Sequence, residues 1–504
     1  MRLILLSFLF SLQLSAQRFS KTDSTFGGAN RPALVFKESG FIVADEDHYS
    51  LGVLQVGLFD SIGQKVYHKS YDYANSSDSV IRVNTCFKCL ISEGINYYFA
   101  QIDFLRADSA FVRFTKFNQN LDTIYTKKYL EFQGTTPYIR DIKFDTDSTF
   151  VVSGDLFRPT NRNKYDLWVA KFDTAFNPIW ELRLLDTIPS LSGGYYGYDL
   201  VLDQYGSCLV SGRATHYDVP SRLNIDHSFA ARVDLQTGQL KWFHPFNEDL
   251  GSQNIAALDN GDGSYSFARV EVLSFVPSTY NPADAQIRLG RIDTSGKVKY
   301  DTTTGPKFPY FRFQDLISTQ DGNFYVAGDL YVPPYNFPIA AYKFTPDGDS
   351  IWMRSYYHLN DSADWNHIWA FQEAPDSGFL HIGQLFDWDN DIAPVRIQHF
   401  YMLKTDQYGC LQKGCQSIGL EEIGPLEAEL RVYPNPTTGV LHLESDLEQE
   451  ITYVLFNSLG QAIRQGSFKA SKILNIRDLN QGVYVLQTRS GGRNYHSQKI
   501  WLQY

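Results

Sequence analysis

Arg232-Val233-Asp234-Leu235-Gln236-Thr237-Gly238-Gln239-Leu240-Lys241-Trp242 is the stretch on which the fold turns. An apolar strand ends at a carboxylate, a glycine supplies the positive φ of a tight turn, and a second strand ends in an aromatic residue. Segments of the same kind place their marker residue at 60, 118, 173, 234, 293, 345 and 406, in steps of 52 to 61 residues. Between them lies a second hairpin type, again seven times, with turns at 37–40, 92–94, 145–148, 203–206, 260–263, 319–322 and 374–378. Each leads into an apolar strand such as Phe150-Val151-Val152-Ser153-Gly154 or Phe324-Tyr325-Val326-Ala327-Gly328. Two hairpins per unit give four strands, and seven such units predict an all-β chain whose residues 20–415 form a seven-bladed β-propeller.

Loop length then separates the two ends of the ring. With strands lettered A to D outward from the hub, the short A–B and C–D turns point one way. The B–C and D–A connections point the other way and are long: 155–165, 213–227, 271–284, 330–336 and 385–395, and also 186–197, 245–253 and 303–310. A binding site belongs on this long-loop face or at its central mouth, because rigid scaffolds carry function on such loops. Tyr195, Tyr196, Tyr198, Tyr331 and Tyr335 are the candidate ligand contacts, able to stack on sugar rings or receive an extended peptide. Aromatic packing within the loops is the alternative reading of the same residues.

Asp387-Trp388-Asp389-Asn390-Asp391 carries the alternating carboxylates of a calcium loop, with Asp387, Asp389 and Asp391 as candidate ligands. It lacks the glycine and the distal glutamate of an EF-hand, so a solvated acidic loop is preferred and no cofactor is assigned. His216, Asp218, Asp226 and His227 share one loop without the spacing that sets two metal ligands on one face.

The net charge of −11 and the absence of a basic run argue against nucleic acid as a partner. Residues 1–16 combine Arg2 with a short apolar run and end in Ser15-Ala16, the pattern of a secretory signal peptide cut after Ala16. No other apolar segment is long enough to span a bilayer. Five cysteines are an odd number for an exported chain. Cys410 and Cys415 could close a small disulfide loop; Cys86-Phe87-Lys88-Cys89 has redox spacing but sits in a strand-like run and is read as structural. Cys208 is read as a buried small hydrophobe.

Beyond 416–428, which lack a strong period and are read as a linker, a second pattern begins. In Val432-Tyr433-Pro434-Asn435-Pro436-Thr437-Thr438-Gly439 two prolines stop a strand and force a turn, and about seven short strands follow over 429–504, as in an immunoglobulin-like β-sandwich. Val432, Tyr433, Pro434, Asn435, Pro436, Gly439, the turn glycine Gly460, Gly482, Tyr484 and terminal Lys499 occur in order. Together they resemble the C-terminal sorting domain, type A, of the type IX secretion system. That resemblance implies the secretion machinery as partner, a cell-surface or extracellular location, and release or attachment to a surface glycolipid after sorting. The central repeat resembles the long-blade propeller-like units often joined to such domains; it lacks the repeated Trp-Asp pair of WD40 blades.

Catalytic signatures are absent: there is no Gly-x-Ser-x-Gly elbow, phosphate loop, dinucleotide fingerprint or metalloprotease helix. The first expectation is therefore a non-catalytic propeller that binds a glycan or protein. The alternatives are a carbohydrate-active enzyme, glycosidase or lyase, with paired carboxylates at the mouth, and a structural adhesion scaffold.

Overall fold

The computed structural model describes residues 19–503 apart from 24–31, 387–397, 412–429 and a number of shorter loop stretches. The chain divides into two compact units, 1–415 and 416–504. Every regular element among the described residues is a strand.

The first unit holds seven antiparallel sheets in chain order, which we number as blades 1 to 7. Blade 3 shows the plan: Thr136–Thr146, Thr149–Arg158, Lys164–Asp173 and Pro178–Leu184 lie side by side as strands A to D. The innermost strands of successive blades pack on one another, and Trp365–Glu373 of blade 7 packs on Ala33–Lys37 of blade 1, so the ring closes. Closure departs from the sequence expectation in one respect. The fourth strand of blade 7 does not follow the seventh marker: Phe19–Asp23 pairs antiparallel with Gln398–Lys404 and supplies it from the other end of the chain. A segment from the start of the chain is thus held by backbone hydrogen bonds in the last blade and covers the edge of Gln398–Lys404.

Three devices recur and account for the repeated sequence. The marker residue caps its own turn: Asp60, Asp293 and Asp406 each accept backbone N–H bonds from the residues two and four positions on, and Asn118 does the same. The basic residue two positions before the marker latches the two turns of one blade together. Arg232 pairs with Asp203 at 2.8 Å, Lys343 with Asp321 at 2.7 Å and Lys404 with Asp376 at 2.7 Å. Finally, the aromatic residue of strand D reaches the C–D turn of the next blade. Trp180 donates its indole N–H to the Leu235 carbonyl and Trp242 to that of Thr294, both at 2.9 Å. Tyr356 donates to Gly409, Tyr300 to Pro346 and Tyr71 to Leu121, while Tyr125 stacks on Phe176. All six consecutive blade pairs are joined by such a contact.

Several connections expected as long loops are extensions of the B–C hairpin instead. Ser207–Asp218 and Leu223–Asp234 run in register past Thr215 and Asp226, and Ser264–Phe275 pairs with Pro282–Asp293 over nearly its whole length. Their Tyr, Asp and His content resembles loop composition, but a two-residue alternation persists through it.

The second unit is a sandwich of a three-stranded sheet, Leu430–Tyr433, Val440–Ser445 and Ser471–Asn475, and a four-stranded one, Ala462–Phe468, Ile451–Phe456, Gly482–Ser490 and Arg493–Leu502. Leu441, Leu443, Ile451, Leu455, Leu486 and Ile500 fill its core.

The packing of the ring makes two positions sensitive to substitution. Gly238 has φ +71°, and a Cβ there would lie 2.7 Å from the Trp180 ring; at Gly94, φ +57°, a Cβ would meet nothing within 4 Å. Gly238→Ala should cost about 1–3 kcal/mol and more than Gly94→Ala, read as the difference in thermal midpoint. The second concerns His381, buried between blades 6 and 7. Its Nδ1–H donates to the Leu403 carbonyl, leaving Nε2 to accept from the Tyr325 hydroxyl at 2.6 Å. Burial holds its pKa down, to about 4, against 6.5 for the free residue. The unfolded chain therefore binds the extra proton between those two values, and the stability from neutral His381 is complete above pH 6.5 and lost as pH falls toward 4, by up to about 1.4 kcal/mol per pH unit. Denaturant unfolding from pH 7 to 4 should show a shallower decline in His381→Gln than in the parent protein.

Candidate functional site

One slot of strand B is polar in all seven blades: Asp45, Gln101, Asp155, Arg213, Arg269, Asp329 and Gln384. In each the preceding residue is small, Ala44, Ala100, Gly154, Gly212, Ala268, Gly328 or Gly383. The reason is steric in four blades, where an A-strand carbonyl presses on the glycine. A Cβ at Gly154, Gly212, Gly328 or Gly383 would lie 2.2, 1.9, 2.0 or 1.8 Å from the carbonyl oxygen of Tyr138, Tyr196, Arg312 or His367. Just beyond this contact a bulge shifts the register of strand A in blades 3, 4 and 7. The polar slot and its cross-strand partner lie toward the long-loop end of the inner strands.

In blades 3 and 4 this arrangement builds an aromatic shelf. The rings of Tyr165 and Tyr196 are 4.3 Å apart, Phe157 and Tyr165 4.9 Å, and Tyr138 and Tyr165 6.2 Å. Arg213 lies over Tyr196 at 4.6 Å and over Tyr198 at 5.8 Å, with Nη1 bonded to Asp226 at 2.7 Å. Arg140 is held by both oxygens of fully buried Asp155, at 2.8 and 2.9 Å. Burial pushes the Tyr196 hydroxyl up to about 12, and neighbouring Tyr165 adds to the rise.

Blades 6 and 7 carry different groups in the same slots. Buried Asp329 accepts from Arg312 at 2.8 Å, from the Ile368 amide at 3.0 Å and pairs with Nδ1 of His367 at 2.6 Å. Trp369 lies against both partners of Asp329, 5.5 Å from the Arg312 guanidinium and 5.6 Å from the His367 ring. Burial works against the Asp329 anion, yet His367 and Arg312 hold its pKa below the usual carboxylate value.

The hub itself is locked by charge. Blade 2 breaks its inner strand between Val80–Asn84 and Leu90–Glu93, and the intervening turn is closed by a Cys86–Cys89 disulfide with Cα atoms 5.2 Å apart. This turn presents Lys88, whose Nζ lies 2.5 Å from Asp199 of blade 4, 2.8 Å from Asp315 of blade 6 and 3.8 Å from Asp141 of blade 3. Asp141 and Asp199 occupy the same place in their A strands, three residues beyond Tyr138 and Tyr196, as Asp315 does beyond Arg312. Each of the first two also accepts an amide from the next blade, Leu200 and Ala257 respectively. Burial raises the Asp141 carboxyl; at Asp199 burial acts the same way but Lys88 more than offsets it and the pKa is lowered.

Of the tyrosines singled out in the sequence, Tyr196 and Tyr198 belong to the shelf. Tyr195 does not: it is 1% exposed and packs edge-on against Phe229 and Phe243, because alternation along the strand turns it into the blade core. Tyr331 packs on Phe337 with centroids 5.0 Å apart, and Tyr335 lies outside the described residues. Asp387, Asp389, Asp391, Gly460, Cys415, the leader 1–16 and the linker 416–428 also lie outside them. Cys410 is disulfide-bonded and Cys208 is a buried free thiol. Asp226 is engaged by Arg213 and Thr215, and the described residues contain no cluster of three or more metal-binding side chains. Sequence reasoning missed the small-then-polar pair of strand B, although it repeats with the blade period and was legible there.

In the sandwich unit the proline turn is stitched to the terminal strand. Asn435 donates to the Lys499 carbonyl at 2.6 Å and accepts from the Trp501 amide at 2.9 Å; Thr437 exchanges backbone bonds with Trp501 and Gln503. Val432 and Tyr484 are buried in the core, and Gly439, φ +107°, sits where a Cβ would be 2.4 Å from Arg477. The separate motifs are thus one contact surface between the first and last strands.

These features define an exported β-protein built of a propeller and a sandwich. Residues 431–503 match the secretion system C-terminal sorting domain family, and the chain is accordingly exported by type IX secretion to the cell surface or extracellular space. An endo-acting ulvan lyase of Formosa agariphila is 22% identical over 158 residues, 31% of this chain and 28% of the lyase, so the chain spans under a third of that relative. Among solved structures, the β-propeller domain of the Trilobed protease from Pyrococcus furiosus aligns with 11% identity over 77% of this chain and 98% of its own, TM-score 0.39. Drosophila Semaphorin 1a, extracellular domains 1-2, aligns with 8% identity over 76% and 86%, TM-score 0.37. No helix among the described residues is long and apolar enough to cross a membrane.

Removing the hub lysine tests the lock. Lys88→Met strands Asp199 and Asp315 against each other and should lower unfolding free energy by on the order of 2–4 kcal/mol. Adding Asp315→Asn should restore part of the loss in chemical denaturation.

Proposed function

We propose that the protein is an exported, non-catalytic glycan-binding propeller whose ligand lies on the Tyr138–Tyr165–Tyr196 shelf of blades 3 and 4. The carrying observation is the shelf itself: closely spaced, half-buried aromatic rings flanked by oriented Arg213 and Asp226, the combination that suits the apolar face and the hydroxyl edge of a sugar. The likeness to a polysaccharide lyase over 158 residues supports a glycan as ligand. Two features favour binding over catalysis. The Tyr196 hydroxyl, pushed up to about 12 by burial, stays protonated at neutral pH and so is not poised to accept a proton. At the hub, Asp199 and Asp315 are both engaged by the Lys88 ammonium, so each carboxylate already carries a charge-assisted bond to a protein cation.

A carbohydrate-active enzyme is the second reading, favoured by the ulvan lyase likeness alone; the appearance of new reducing ends in a bound polysaccharide would select it. For the first reading the full chain should bind a subset of an oligosaccharide array. Tyr196→Ala and Tyr165→Ala should each weaken the selected ligand by about three- to tenfold, with the fold retained by circular dichroism. Full-strength binding by both variants would rule the shelf out.

A further inference from the structure

Among the described residues, two of the seven innermost strands are broken, and the residues in the two gaps meet at the hub. In blade 2 the gap lies between Val80–Asn84 and Leu90–Glu93, and in blade 6 between Tyr310–Phe313 and Ile317–Ser318. The first gap carries Lys88 and the second Asp315, 2.8 Å apart. Lys88 is only 11% exposed, and a cation buried to this degree is tolerated when its carboxylate partners are held in place. A lysine stem is flexible, so its own turn must be held as well. Here the turn is closed twice: the Cys89 amide donates to the Cys86 carbonyl at 3.2 Å, and the disulfide joins the same two residues, which bracket Lys88. Backbone bonds fasten it on both sides. The Cys89 carbonyl accepts from the Ala100 amide of blade 2 at 3.0 Å, and the Lys88 carbonyl from the Ile142 amide of blade 3 at 3.2 Å. Cys86 and Cys89 are 3% and 0% exposed, so a thiol reaches their bond only when the hub opens. Disulfide and ion pairs therefore protect one another.

We propose that the Cys86–Cys89 disulfide is an oxidation-gated latch of the ring: its formation delivers Lys88 to Asp199 and Asp315, which locks blades 2, 4 and 6 together, and the locked hub in turn shields the bond. Oxidation proceeds by exchange with a small-molecule disulfide such as oxidised glutathione. One cysteine thiolate attacks it and releases the first glutathione thiol; the second cysteine attacks the mixed disulfide and releases the other, so two electrons and two protons leave the protein. The chain is exported, so the latch is open in a reducing compartment and closes after the chain has left it. This inference is independent of what the shelf binds.

Reduction of the folded full chain by dithiothreitol tests it, followed by alkylation and mass spectrometry of the peptide carrying Cys86 and Cys89, so that the bond at Cys410 does not contribute. Lys88→Met should lose this bond about 10-fold faster than the parent, or more, with Asp315→Asn in between. Gly238→Ala, which loosens the contact between blades 3 and 4 away from the hub, sets the rate expected of general weakening. Hydrogen exchange gives the reciprocal readout. In Cys86→Ala/Cys89→Ala the Leu200 and Ala257 amides, which donate to Asp141 and Asp199, should exchange faster by about 10-fold, while amides of Ile451–Phe456 in the second unit keep their parent rates. A reduction rate in Lys88→Met no higher than in Gly238→Ala overturns the latch and leaves the disulfide a local cross-link of blade 2. Unchanged exchange at Leu200 and Ala257 in the cysteine-free turn overturns it equally.

Discussion

An aromatic side chain that donates a hydrogen bond to the turn of the next blade is the contact on which this ring depends. A four-stranded sheet buries both faces only against neighbours, so each blade needs a partner on either side. Trp180 and Trp242 add direction to that apolar contact, because an indole N–H desolvated at a sheet interface must find an acceptor, and the C–D turn supplies one at a fixed height. The turn glycine follows from the same contact: at Gly238 and Gly296 the neighbouring indole occupies the space a Cβ would take. Marker, positive-φ turn residue and aromatic are therefore one device, with Leu121 and Phe176 taking the glycine's place in blades 2 and 3.

This explains why so much of the fold was legible. The polar marker, the positive-φ residue three or four places on, which is glycine in five blades and Leu121 or Phe176 in the other two, and the aromatic that follows in blades 1 to 6 are imposed locally, so period counting located seven units. The seam was not legible, because pairing of Phe19–Asp23 with Gln398–Lys404 joins strands nearly four hundred residues apart and leaves no local signature. The B–C ribbons were misassigned as loops since their exposed strands carry polar and aromatic residues like those of turns. At the site, Tyr196 was found by composition, but Tyr195 was not separated from it, because a one-residue step along a strand exchanges surface for core. Lys88 was invisible for another reason: only the ring brings blade 2 to Asp199 and Asp315.

The long-loop end of the inner strands shows how one backbone feature can serve both packing and recognition. The A-strand carbonyl that demands glycine at 154, 212, 328 and 383 also aligns the next B-strand side chain with its cross-strand partner. Filled with Asp155 or Asp329, the slot braces an arginine; filled with Arg213, it turns a guanidinium onto tyrosines. The charge lock fixes these strands against one another, so the shelf stands on strands tied at the hub. In the sandwich, the Asn435 and Thr437 bonds to the last strand show how motifs so far apart in sequence come to form one contact surface.

The ring's dependence on sequential contacts and on its shared strand is tested most directly by thermal unfolding of the chain lacking residues 19–23, followed in parallel by circular dichroism and tryptophan fluorescence. Loss of that strand uncovers the Gln398–Lys404 edge, and the account predicts a lower and less cooperative transition with the two probes diverging. A single transition at the parent temperature, coincident by both probes, would contradict it.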